Sequence, residues 1–412
     1  MAFPHEPIRP RNVVMLFKAE TVVGTDAAPT ASDAIPFEAE GWSFNAPTTA
    51  EDSDEATGSM IAGAPLIVGQ SSVIKLRFRV KGAGAGITYT AGIKPPHHAL
   101  LQSCGWRGLF SAAITATALA SGTTTSATLA TPFAATAQAQ RGLPLQLAGG
   151  TSGGRIAHVT DYTAARVATL ADVFGSALSA AATAAMPANW SYALTSPKDA
   201  AARVTDQPSG TLYIYEDGRL LKFTACRGAL TLSGDTARPG FAEVELMGVF
   251  AGEVPASVPV VTVAGHVAPV LAMGDGGINP ALVVDRVELA TKSWSLNGPP
   301  KLETRDDSNT AFGFGAPDLD IRALALGIDP LTTYKANIDR WAQIAAGTQM
   351  PAVLRFGNTA GNRWSLVLPT VSPVKADPAT RGIYRTDDMS LRAYSPGVDA
   401  SSRDADAILC FY

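Results

Sequence analysis

The chain has 412 residues, of which 46% are hydrophobic and 17% charged, and it carries a formal net charge of −4. That length accommodates two or three domains with full cores. Its slight acidity argues against a surface built to grip nucleic acid, which needs clustered Lys and Arg. No apolar run of about 18 residues marks a membrane-spanning helix. The opening Met1-Ala2-Phe3-Pro4-His5-Glu6 lacks the charged and apolar regions of a signal peptide, so synthesis in a cytoplasm is the expectation. Cys104, Cys226 and Cys410 are odd in number with no metal-type spacing, and each sits beside small or apolar residues, which predicts buried free thiols.

In chain order, residues 1–13 read as an extended arm, because Pro4, Pro7 and Pro10 oppose regular structure. From Ser72 to Val80, Ile74, Leu76, Phe78 and Val80 alternate with Lys75, Arg77 and Arg79. This predicts a half-buried antiparallel strand with a cationic outer face. Pro96–Gly105 begins with proline, ends with glycine and predicts a short helix. Residues 111–199 are dominated by Ala, Thr, Ser and Gly. Short apolar pieces at Ser126–Leu129, Leu143–Leu147, Ile156–Val159 and Ala165–Leu170 suggest a small all-β module. Thr211–Phe223 predicts a hairpin turning at Asp217-Gly218, since Asp-Gly supplies the positive φ of a tight turn. Thr333–Gly347 predicts a second helix, its Tyr334, Ile338, Trp341 and Ala345 forming one packing stripe. Val353–Phe356 and Trp364–Leu368 predict a second hairpin.

Two landmarks recur. Gly41-Trp42-Ser43-Phe44-Asn45-Ala46-Pro47 precedes the acidic run Glu51-Asp52-Ser53-Asp54-Glu55; Ser293-Trp294-Ser295-Leu296-Asn297-Gly298-Pro299 precedes Glu303-Thr304-Arg305-Asp306-Asp307. Asp235–Phe241, leading into Val244-Glu245-Leu246, is echoed by Asp377–Ile383, leading into Met389-Ser390-Leu391. A long unit present twice indicates a duplicated domain rather than a solenoid. The landmarks are 252 residues apart at Trp42 and Trp294 but 142 apart at Gly240 and Gly382, so the first copy carries about 110 extra residues. The expected organisation is therefore a first domain of 14–110 and 200–254, interrupted by an inserted module at 111–199, and a second domain of 255–412.

Glu20–Thr30 with Ala34-Ile35-Pro36-Phe37, Ala99-Leu100-Leu101-Gln102-Ser103-Cys104-Gly105, and the hairpin ending Leu221–Ala229 resemble segments of the tail tube proteins of long-tailed, siphophage-type bacteriophages. Gly142-Leu143, Gly153-Gly154-Arg155 and Asp161-Tyr162 resemble small β-modules inserted in several phage virion proteins. The resemblance implies a mainly β chain: two tandem tube-like β-sandwich domains, each with a short flanking helix, plus the inserted small all-β module. It also implies a structural virion protein that polymerises as stacked rings into a hollow tube through which genome DNA passes. With two domains per chain the rings would be trimeric and pseudo-hexameric, and the insert would decorate the outside. Implied partners are further copies of the chain, tail tip and tail terminator proteins, a tape measure protein in the lumen before ejection, and DNA passing without specific binding. The implied location is the virion tail, assembled in the host bacterial cytoplasm.

The acidic runs are the best functional candidates. Glu51, Asp52, Asp54 and Glu55, with Glu303, Asp306 and Asp307, could ring a lumen and repel phosphates across a Debye length of about 8 Å. They could equally meet Lys75, Arg77 and Arg79 at ring-to-ring contacts and set register, which the exposed cationic strand favours, or be ordinary solvated loops. His97-His98 has no partner at recognised metal-ligand spacing and reads as capping or surface histidine. Gly82–Gly86 lacks the Lys-Ser/Thr and helix of a phosphate loop. No nucleophile elbow, zinc-protease motif or paired-carboxylate spacing is present, so neither catalysis nor a cofactor or metal is expected. The competing reading is an adhesin-like, glycan- or surface-binding virion module, with Tyr162, Trp190 and Tyr192 lining a shallow site on the insert.

Overall fold

The computed structural model describes residues 8–412 except 46–47, 54, 57, 59, 62, 263–266, 272–278, 311–312 and 396. The chain is mainly β, with several sheets and three short helices among the described residues. The first copy opens with β1 (Val13–Ala19), β2 (Trp42–Phe44), β3 (Thr48–Glu51), β4 (Leu66–Gly69), β5 (Ser72–Arg79), α1 (His98–Ser103) and β6 (Trp106–Ser111). The insert contributes β7 (Ile114–Ala118), β8 (Ser121–Gly122), β9 (Ser126–Thr128), β10 (Pro144–Ala148), β11 (Ile156–Tyr162), β12 (Val167–Leu170) and β13 (Thr183–Met186). The chain then returns through β14 (Asn189–Leu194), α2 (Ala200–Asp206), β15 (Gly210–Glu216), β16 (Arg219–Asp235) and β17 (Phe241–Pro255). The second copy comprises β18 (Leu282–Val284), β19 (Val287–Glu288), β20 (Ser293–Asn297), β21 (Leu302–Glu303), β22 (Asp318–Leu319), β23 (Ala325–Ile328), α3 (Arg340–Ala345), β24 (Met350–Phe356), β25 (Trp364–Arg381), β26 (Tyr384–Ala393) and β27 (Ile408–Phe411).

The period-2 pattern of residues 72–79 becomes a strand with Ile74, Leu76 and Phe78 buried and Lys75 and Arg79 exposed. Asp217 (φ 41°) and Gly218 (φ 105°) close the β15–β16 hairpin as the Asp-Gly pair requires. Residues 9–12 are tied to that same turn: the Arg9 amide and the Asn12 side chain both donate to the Asp217 carboxylate. The part of the N-terminal arm that is described therefore lies on its own chain.

The duplication is visible in the sheet itself. The first copy is ordered β2-β5-β17-β16-β15-β1, and the second β20-β23-β26-β25-β24-β18, with each strand in the corresponding place. Register is kept as well. Trp42 faces Leu76 and Trp294 faces Ile328, so each residue of the second ladder is its first-copy counterpart 252 positions on. The same shift relates the hairpin β3–β4 (Ala50 opposite Ile67) to β21–β22 (Leu302 opposite Leu319). The helices α1 and α3 fall between equivalent strands in the two copies. One apolar core runs through both copies, from Phe17, Ile74 and Trp106 to Trp294, Trp364 and Leu391.

The insert is a separate seven-stranded sheet, ordered β7-β13-β10-β11-β12-β9-β8, with its own core around Leu145, Val159, Tyr162 and Leu170. It is narrower than residues 111–199. β14 pairs with β6 and β27 in the main sheet, and α2 lies beyond it. Its attachment is polar and buried: Arg355 of β24 donates to Asp172 (2.5 Å) and to His158 Nδ1 (3.2 Å), and all three side chains are buried. The C-terminal Cys410 and Tyr412 also enter the insert's core.

Three expectations need correction. The second helix spans only Arg340–Ala345; Tyr334, Trp341 and Ala345 are exposed, Ile338 is half-buried ahead of the helix, and Ile344 packs against the core, so the expected stripe is not the packed face. His97 is neither surface nor a side-chain cap: it stacks on Phe78 (3.8 Å between centroids) and its Nε2 reaches the Pro36 carbonyl at 2.8 Å. His98 is half-buried, with Nδ1 at 2.8 Å from the Tyr192 hydroxyl.

Candidate functional site

Both acidic runs begin on equivalent hairpins. Glu51 closes β3 and Glu303 closes β21, and these two glutamates are 252 positions apart. Glu51, Asp52 and Glu55 are exposed, and Asp54 lies outside the described residues. In the second copy Glu303 and Asp306 are exposed. Glu303 accepts from Lys301, a hydrogen bond and ion pair that hold that ammonium above its ordinary pKa. Asp307 accepts from the backbone and then the side chain of Asn309, which lower its pKa.

The cationic strand is placed differently from the expectation that it is free to meet those runs. Within the chain Lys75 pairs with Glu245 (3.3 Å), Arg77 with Glu38 and Glu243 (3.5 and 3.6 Å), and Arg79 with Glu38 (3.2 Å). Arg77 also lies over the Phe241 ring at 4.3 Å. All of these side chains keep substantial exposure, so the pairs are worth little individually and remain exchangeable. The face they form is of mixed sign.

The two copies are joined by a strand pairing. β20 of the second copy lies beside the C-terminal half of β16, with Leu232 opposite Leu296, Ser233 opposite Ser295 and Gly234 opposite Trp294. Above it, the β21–β22 hairpin rests on the first copy. The buried Arg227 donates to the Pro317 carbonyl (2.8 Å) and to Asp318 (2.7 Å). Leu319 reaches Gly105 at the end of α1, where an added Cβ would meet its Cδ1 at 2.9 Å. The counterpart hairpin β3–β4 has no such seat: Leu66 and Ile67 are 63% and 64% exposed. Sequence reading found the repeat but not this joint, because strand pairing between distant segments leaves no local signature.

Glu20 is a buried carboxylate satisfied by Ser209, Thr211 and the amides of Gly24 and Ala225. Burial pushes the Cys104 thiol up to about 12, so it is unreactive. Among the described residues no group of three or more His, Cys, Asp or Glu is placed to hold a metal. An open cleft of about 830 Å³ beside β1 and β5 is lined by Arg11, Arg77, Arg79 and Lys81, with Glu38 and Glu40 beside them. Tyr162, Trp190 and Tyr192 are all buried, and the last two belong to β14 of the main sheet. The shallow aromatic site expected on the insert is therefore not formed. No family model and no curated protein matches the chain.

Proposed function

We propose that the chain is the structural subunit of a phage-type tail tube. Copies associate into trimeric, pseudo-hexameric rings, and the rings stack into a hollow conduit for genome DNA. The observation that supports this reading is the internal joint: two copies of one domain share a strand pairing, β16 with β20, that uses a different edge on each. A heterologous contact of this kind repeats from chain to chain and either closes into a ring or extends as a filament. Open sheet edges left exposed would otherwise aggregate, and assembly covers them. The helices, the insert and the acidic hairpins then supply the outer surface and the contacts between rings.

Negative-stain electron microscopy of the purified protein across a concentration series tests the reading. Rings with six similar lobes, or hollow tubes, are expected. A chain that stays monomeric at every concentration, with and without tail-tip complexes from the same source, would overturn it.

A further inference from the structure

The two copies can be matched residue by residue across the sheet. In the first copy Trp42, Leu76, Val244 and Leu230 form one row across four strands. In the second copy the same row is Trp294, Ile328, Met389 and Ala376. Leu230 thus corresponds to Ala376, and Leu232, Ser233 and Gly234 correspond to Pro378, Ala379 and Thr380. The former three receive β20. The latter three have β26 on one side: Val371 is the last residue of β25 that pairs with β24, and beyond it the strand's other edge has no partner among the described residues.

β2 likewise has one strand neighbour, β5, among the described residues, whereas its counterpart β20 pairs with both β23 and β16. Hydrogen-bond alternation shows which groups are free. Asn45 N–H donates to Val73 (3.0 Å) and Arg77 N–H to Gly41 (2.8 Å), so the odd positions of β2 face β5, and the amides and carbonyls of Trp42 and Phe44 point outward. On β26, Asp387 donates to Pro330 and Ala393 to Leu324, so its odd positions face β23 and its even ones face β25. By the register of that ladder Pro378 and Thr380 point to the open edge. Pro378 offers only its carbonyl to that edge, so a strand added there would keep one of the two bonds at that position.

We propose that β2 of one chain continues the open edge of β25 in a second copy of this chain, with Trp42 opposite Thr380, Ser43 opposite Ala379 and Phe44 opposite Pro378. The β3–β4 hairpin then lies over α3 of that copy. Its Ile67, equivalent to Leu319, seats beside Gly347, which stands two residues beyond α3 as Gly105 stands beyond α1. Gly105 is filled by Leu319, while a Cβ at Gly347 would meet nothing within 4 Å. This rests on the proposed self-association and supplies its partner surface.

Cysteine pairs test the register. Ser43 and Ala379 would form a non-hydrogen-bonded pair, whose Cα separation of about 4.5 Å suits a disulfide. The three native cysteines are buried and contribute no background. Under mild oxidation, Ser43→Cys/Ala379→Cys is expected to give cross-linked multimers, and both single variants and the off-register Ser43→Cys/Asp377→Cys are expected to lose them. Ile67→Asp, at an exposed site, is expected to weaken association while leaving the monomer folded by circular dichroism. Rings or tubes in which the in-register pair stays uncross-linked would overturn this contact and leave the tube reading standing. Cross-linked chains that never form tubes would support the contact and overturn the tube. A protein that never associates would overturn both.

Discussion

Gly234 lies opposite Trp294 across the joint between the two copies, and a Cβ built there would come within 2.9 Å of the indole Nε1. The indole fills the place where a side chain would stand. Strand propensity alone favours replacing this glycine, but the joint decides otherwise. Gly234→Ala is expected to cost about 1–3 kcal/mol, as overpacking does, and Gly234→Val more. Urea unfolding would show it as a lowered midpoint; an unchanged or raised midpoint would mean that Trp294 repacks freely.

Arg355 and Asp172 are 183 positions apart and fully buried against each other. Removing one partner of such a pair strands a charge and is expected to cost about 3–5 kcal/mol, whereas an apolar replacement of both is often neutral. Asp172→Ala should therefore destabilise the seam between insert and second copy, and Arg355→Met/Asp172→Leu should recover most of the loss. Equal losses in the single and double variants would show that packing, not charge, holds the seam.

Stability should fall with acid before the carboxylates titrate. Burial lowers His97 to about 3, and burial followed by the nearby Lys94 charge lowers His98 to about 4. Both folded values lie below the unfolded value near 6.5, so below that pH the unfolded chain binds more protons. The stabilisation is complete above about pH 6.5 and is lost as pH falls toward the folded values, at about 1.4 kcal/mol per pH unit for each group. His97→Gln should flatten the dependence between about pH 6.5 and 5 by one proton, measured by urea unfolding at several pH values. An unaltered slope would show that His97 opens and protonates without cost.

The acidic hairpin should matter to assembly and not to folding. Glu51 and Asp52 are exposed, with no ion-pair partner among the described residues. Reversing them to lysine is expected to leave the unfolding midpoint within about 0.5 kcal/mol of the parent. The same variant is expected to suppress stacking of rings in electron micrographs. Tubes of normal length from it would rule out the ring-contact role.

The duplication was legible in the sequence because Trp42-Ser43 and Trp294-Ser295 keep their identities in equal register with the strands that follow. The half-buried strand of Ser72–Arg79 and the Asp217-Gly218 turn were legible because period-2 burial and positive φ are local requirements. The acidic runs, too, could be matched as equivalents. Tertiary structure alone decided the rest. Which face of α3 packs depends on the sheet beneath it, so Trp341 is exposed despite its helical spacing. Tyr162, Trp190 and Tyr192 look like a binding site in a Gly-rich neighbourhood, but Tyr162 is enclosed in the insert's core, and Trp190 and Tyr192 pack against residues such as Thr90 and His98 far back in the chain. The cationic strand finds Glu243 and Glu245 across a ladder that no spacing announces. The pairing of β16 with β20 is likewise a long-range contact, and it leaves one side of β2 and of the end of β25 without a strand partner among the described residues. Local physics writes strands and turns into sequence; which edges remain open is settled only when distant strands compete for the same partners.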